Sequence, residues 1–338
     1  RVVLQLAKGT TLGQTLRESP LKPDREFAEG LFILQAGSVA EALGESQRLA
    51  KRPDVLVCHP VRRRAMRKMA PMAKRPNDPL FPTQWPLENR DPATGDRLGP
   101  EFNIREAWAG STGQGVVIGI ADDGVELAHT DFLGQGADDL HFNFTNGKTD
   151  GNPVASNQGH GTIVAGLALA KADNNRGIAG VSPGAKLASL VVWTAGDDFG
   201  TEEEVGDMFQ YRNDAVHVQN HSWGSSTIEQ LDAAVIEAKA IERAIETGRD
   251  GKGVLMIRVA GNSREEDWSA SDDGYANDPR VVTVGAVGPD GRVAPFSNAG
   301  ACVLCVGLIA NTAGEHPVYS TDRMGALGWN RKFSADDP

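Results

Sequence analysis

The chain has 338 residues, 40% hydrophobic and 23% charged, which is enough apolar material for one large domain and a small one and too much for a disordered segment. Its longest apolar run, Ala301–Ala310, is far too short to span a bilayer. The net charge of −11 is uneven: residues 1–75 carry 15 basic and 7 acidic side chains while residues 76–338 sum to −19, which excludes a nucleic-acid binder built on the larger part.

In chain order, Leu31–Gln35 and Asp54–Val57 are short apolar runs of strand length, and the Ala-, Glu- and Leu-rich stretch Val39–Lys51 between them predicts a helix. A basic segment follows, with seven Lys or Arg and no acid between residues 61 and 75; its composition predicts an exposed, protease-sensitive boundary. The expected division is therefore a small α/β domain with a basic linker at 1–75 and a larger domain at 76–338. Such a charge split suits a basic segment that docks on, or is released from, an acidic body.

Beyond residue 115 the pattern becomes strand, helix, strand. Val116–Ala121, Leu187–Val192, Ala215–Gln219, Val254–Ala260 and Val281–Val287 read as buried strands. A small-residue helix starts at His160, and Ile228, Leu231, Val235, Ala238, Ile241 and Ile245 fall on one helical face. The alternation predicts an α/β fold, a parallel sheet with helices on both faces, with functional residues outside the carboxyl ends of its strands. Cys58, Cys302 and Cys305 cannot build a disulfide framework, and Cys302-Val-Leu-Cys305 reads as core thiols, since no second pair accompanies it. Gly110-Ser-Thr-Gly113-Gln-Gly115 precedes its strand, which puts a phosphate cradle at the wrong end.

Three polar signals fall at the expected edge: Asp122 after a strand, His160 opening a helix in Gly159-His-Gly-Thr162, and Asn262 after a strand in Ala260-Gly-Asn262. An acid that orients an imidazole, together with an amide that donates to an oxyanion, makes up part of an acyl-transfer site.

These motifs resemble those of subtilisin-like serine proteases: Ile120-Ala-Asp-Asp-Gly124 with His129-Thr-Asp131, Gly159-His-Gly-Thr-Ile-Val-Ala-Gly166, and Val259-Ala-Gly-Asn262. The doubled acid, with Asn77–Trp85, Ser222-Trp-Gly224 and Asp273-Gly-Tyr-Ala-Asn277, resembles the kexin-like (proprotein convertase) branch over about residues 77–322. The resemblance implies that Asp122 orients His160, that His160 is general base and then acid, and that Asn262 donates to the oxyanion. It implies substrate contacts at Asp123, Trp223, Gly224 and Asp273, with Asp273 receiving a basic side chain. It implies a structural Ca²⁺ held by Asp78, Asp131 and Asn174 with the carbonyls of Arg176 and Ile178, although Asp173-Asn-Asn175 also reads as a plain turn. A second calcium site is weakened by Asn298, where the family has Glu, and keeps Asp267 as its acidic candidate.

The family's Gly-Thr-Ser nucleophile is absent, and Ser334 lacks both the turn and the following helix. With Arg1 at its start, the chain is expected to be a fragment of a longer reading frame, inactive alone. The expected whole is a secreted zymogen: a serine endopeptidase cutting peptide or protein substrates after basic residues, with residues 1–75 as its own propeptide and Arg64 and Arg67 as the processing site. The alternative is a catalytically dead subtilisin-like binding module.

Overall fold

The computed structural model describes residues 1–62, 72–196, 198–224, 229–310 and 316–329, and the chain divides into two compact units, Arg1–Met69 and Ala70–Pro338. In the first unit, β1 (Val2–Leu6), β2 (Lys22–Ala28), β3 (Leu31–Gln35) and β4 (Val55–Pro60) form an antiparallel sheet in the order β2-β3-β1-β4. The short helix α1 (Leu12–Thr15) precedes β2, and α2 (Val39–Leu49) joins β3 to β4. Ser38 caps α2 by accepting the Glu41 N–H at 3.1 Å. Val2, Leu4 and Leu6 alternate inward from β1 and meet Ala42 and Leu49 of α2 in a small core.

The second unit contains a seven-stranded parallel sheet with helices on both faces, the α/β architecture the alternation predicts. After α3 (Ile104–Trp108) come β5 (Val117–Asp122), β6 (Phe142–Asn143), α4 (His160–Leu169), β7 (Lys186–Val191), α5 (Glu202–Gln210), β8 (Val218–His221), α6 (Val235–Gly251), β9 (Leu255–Val259), β10 (Val282–Val287) and β11 (Val303–Leu308). The order β11-β10-β9-β8-β5-β7-β6 places β5, β8 and β9 side by side. One face packs Phe209 of α5 and Ile241 of α6 over Met256; the other packs Leu169 of α4 over Ile118 and Ile120. Because all the strands run the same way, the loops after β5, β8 and β9 emerge at one edge.

Two expectations need correcting. The strand foreseen at Ala215–Gln219 is β8 at Val218–His221, starting three residues later and ending two later, because it pairs in register with Ile118–Ala121 of β5; its polar Gln219 is buried and donates to the carbonyls of Met208 and Phe209. The paired cysteines are not core thiols: β11 is an edge strand, Cys305 on it is exposed and Cys302 is half-buried. Ile228 lies outside the described residues.

Candidate active site

Asp122 ends β5 in the buried middle of the sheet, and His160 is the first residue of α4. The His160 Nδ1–H lies 2.9 and 3.0 Å from the two Asp122 carboxylate oxygens, so the ring is held by both. The hydrogen bond to Asp122 raises the His160 pKa above the ordinary imidazole value, and the charges of Asp122 and Asp123 add to this against the opposing effect of burial. With Nδ1 occupied and the side chain 47% exposed, Nε2 is the ring nitrogen left free to take up a proton.

Asp123 is buried, and its carboxylate accepts the amide N–H groups of Gly159 (2.8 Å), His160 (3.0 Å) and Gly161 (2.7 Å). The sequence reading puts Asp123 against substrate; the structure turns it instead into the first turn of α4, where unpaired N–H groups and the helix dipole favour an anion. Burial and the neighbouring Asp122 raise its pKa, and the three amides oppose that rise. Asp123 thereby fixes the helix start that carries His160. Gly161 is required by proximity: a Cβ there would lie 2.5 Å from the Gly124 carbonyl oxygen and 3.0 Å from Asp122 Cβ.

On the other side, Asn262 follows β9 with an exposed side chain. Its loop is held by Asn298, whose amide oxygen accepts the Ser263 N–H at 2.8 Å and whose own N–H donates to the Gly261 carbonyl. Gly261 has φ +100, and a Cβ would collide with the Asn298 amide, so this turn needs glycine. Asn298, read in sequence as a weakened calcium ligand, is thus the brace of the Asn262 turn. Asn262, Gly224 and Asp273 line one recess. Trp223 is pinned beside Asp122, its indole N–H donating to the Ala121 carbonyl at 2.9 Å.

The sequence reading missed Arg258. It sits in β9, 3% exposed, with its guanidinium 4.4 Å from the Trp223 ring centre and 4.6 Å from that of Tyr275. Its Nη2 donates to Asp273 Oδ2 at 2.6 Å, while Asp273 Oδ1 accepts the N–H groups of Tyr275 (2.9 Å) and Ala276 (3.0 Å). Burial pushes the Asp273 pKa up, but the Arg258 charge and these hydrogen bonds outweigh it and hold the carboxyl below its ordinary range. Beneath them the fully buried His221, with its pKa pushed down to about 3 by burial and the Arg258 charge, places Nδ1 2.6 Å from the Tyr275 hydroxyl and 3.2 Å from the Ile257 carbonyl.

The expected calcium ligands are brought together at the turn after α4. Asp78 and Asp131 are both buried; Asp78 accepts the Asp173 and Asn174 N–H groups at 2.7 and 3.4 Å, and Asp131 accepts the Asn174 side-chain amide at 2.8 Å and the Ile178 N–H at 3.1 Å. Burial raises both carboxyl pKa values, and the Asp131 charge adds to the rise at Asp78. Neither acid has an ion-pair partner among the described residues, so the pair suits a hard divalent cation. The Asn174 amide oxygen accepts the Arg176 N–H at 2.8 Å, so ligation by Asn174 requires the amide to turn over. Among the described residues no group of three or more His, Cys, Asp or Glu could hold a metal, so the remaining ligands there would be neutral oxygens. Asp267 is exposed on a left-handed turn. Arg64, Arg67, Ser225–Ile228 and Ser334 lie outside the described residues.

A family model described as "Subtilase family" matches residues 113–326. The chain is 29% identical over 328 residues to the calcium-dependent protease of Trichormus variabilis, covering 92% of this chain and 46% of that protein. It is 29% identical over 252 residues to kexin of Saccharomyces cerevisiae, covering 74% of this chain and 30% of kexin. Among solved structures, the serine protease of Aeromonas sobria superposes with a TM-score of 0.67 at 22% identity, over 82% of this chain and 51% of that one. The chain spans about half the length, or less, of the relatives it matches.

Proposed function

The chain belongs to the subtilase family, and from that premise we propose that it supplies the orienting acid, the general base and the oxyanion donor of a secreted, calcium-stabilised serine endopeptidase of the kexin-like branch. The attacking serine is assigned to sequence past Pro338. The observation that carries this reading is the grip of both Asp122 oxygens on His160 Nδ1, with Asn262 exposed on a loop of the same sheet edge. His160 Nε2 takes the serine proton as the hydroxyl attacks the scissile carbonyl, then gives it to the leaving amine. The Asn262 side-chain N–H stabilises the tetrahedral oxyanion, a contribution of about 3–4 kcal/mol to the barrier. A pure binding module has no need of this pair.

The test is hydrolysis of peptide p-nitroanilides by the full-length protein, with His160→Ala as control. Turnover abolished by that substitution supports the reading; a full-length protein inert on every peptide sinks it. The pH profile adds a signature. His160 acts as a base only when neutral, and its pKa is raised, so the acidic limb of kcat/KM falls at a pH above about 6.5. An acidic limb centred below that value would contradict the Asp122 hydrogen bond as its cause.

Calcium at Asp78 and Asp131 ties the turn after α4 to the rest of the domain. Binding to the folded state alone stabilises by about 2.7 kcal/mol at a hundredfold excess over Kd. Thermal melts with Ca²⁺ and with chelator should therefore separate clearly, and Asp131→Ala should remove most of the separation. Identical melts would eliminate the site.

Residues 1–75 are assigned as a basic propeptide that assists folding of the acidic domain and is cleaved after Arg64-Ala-Met-Arg67. Mass spectrometry of the mature protein should find an N-terminus at Lys68 or Met69; a mature start before Arg62 rules the processing site out.

A further inference from the structure

We propose that Arg258 is a specificity-determining residue: a resident cation that silences Asp273, so that the recess beside Asn262 does not select a basic side chain before the cleaved bond. This rests on the protease reading above.

Both oxygens of the carboxylate that would meet a substrate guanidinium are engaged, and its charge is already matched by a buried cation. Asp273 Oδ2 is taken by Arg258 at 2.6 Å, and Oδ1 by the amides of Tyr275 and Ala276 at 2.9 and 3.0 Å. The Arg258 guanidinium lies against the Trp223 and Tyr275 rings, 97% buried by this chain's own side chains. Its Nε and Nη1 have no hydrogen-bond partner among the described residues, so Asp273 is its one direct counter-charge there. A second cation entering the recess would have to displace Arg258 from Asp273, leaving a buried charge unpaired, or stay in place without a buried counter-charge. Either outcome removes the advantage of arginine over an uncharged side chain.

The other acids nearby do not restore that advantage. Glu229 lines the recess but is exposed, and Asp272 is half-buried at its wall; charges so placed are screened by water and salt. Glu237, on α6, is not part of this recess; it lines an adjoining cavity of about 480 Å³ together with Trp193, Trp223, Arg258 and Asp273, where its charge acts on Arg258.

The experiment compares kcat/KM of the full-length protein on peptides that differ only in Arg, Lys, Leu or Phe before the scissile bond. The wild type should favour Arg over Leu by less than about tenfold. Arg258→Met, which frees Asp273 while keeping apolar bulk between the rings, should raise the Arg:Leu ratio by about 30-fold or more. Arg258→Met with Asp273→Asn should return the ratio to the wild-type value, which a merely structural role for Arg258 would not do. Strong arginine selection by the wild type, or an unchanged ratio in Arg258→Met, overturns the proposal. Calorimetry with product-like peptides ending in Arg or Leu makes the same comparison without turnover. Comparable affinities in the wild type support the proposal, and tighter arginine binding or no binding at all overturns it. A protein inert on all peptides yet showing this binding pattern refutes the protease reading and leaves the pocket assignment standing.

Discussion

Replacing Asp122 with Asn in the full-length protein should lower kcat by about 10⁴-fold while leaving the fold intact. The magnitude follows from the tautomer. As a carboxylate, Asp122 accepts from His160 Nδ1 through both oxygens, which leaves Nε2 without its proton and ready to act as base. An asparagine amide presents a donor in place of one acceptor, favouring the tautomer with the proton on Nε2, and it no longer stabilises the imidazolium that forms during attack. The side chain is of equal size in a buried position, so circular dichroism and melting temperature should change little. A loss under tenfold in kcat would mean that Asp122 does not govern the state of His160.

The second large effect is on stability. Asp273→Ala should destabilise the larger unit by about 3–5 kcal/mol, because it strands the Arg258 charge among Trp223, Tyr275 and the neutral His221. In a domain of this size that is a fall in Tm on the order of 10 °C. Arg258→Met combined with Asp273→Asn should cost much less, since a buried pair removed together leaves no orphaned charge. If Asp273→Ala melted like the wild type, the guanidinium would have to be finding water or another acid, and the buried pair would lose its energetic role.

Much of the fold was legible because burial and periodicity coincide. The apolar run at 116–121 became β5, and the small residues after His160 became α4, whose close approach to β5 needs Gly161. What escaped was structure that carries no apolar pattern of its own. The strand β2 is exposed along its whole length, so it carries no apolar signature. In β8 a polar residue, Gln219, is fully buried because its amide reaches the carbonyls of Met208 and Phe209. The helix α5 did carry a local signal that went unused: Thr201 and Glu204 form a capping box.

The candidate site divides in the same way. The pairing of Asp122 with His160 was foreseen from motif order, while the partners that qualify each acid were not. Asp123 looks like a substrate contact until the start of α4 is placed on it. Asp273 looks like a free acid until Arg258, an arginine in an otherwise apolar strand, is seen to fold inward onto aromatic rings. A charge of that kind reads in sequence as a solvent-facing residue, and only the packing of β9 against the loops at 223 and 275 reverses that.

The central claim is that Asp122, His160 and Asn262 serve a serine nucleophile. The most direct measurement is to treat the full-length protein with a fluorophosphonate and locate the adduct by mass spectrometry. The account predicts one labelled serine, in sequence past Pro338, whose labelling is lost in His160→Ala and whose occupation stops peptide hydrolysis. Failure of any serine to react, or labelling that persists at full rate in His160→Ala, would contradict it and leave a subtilase fold that binds peptides without cutting them.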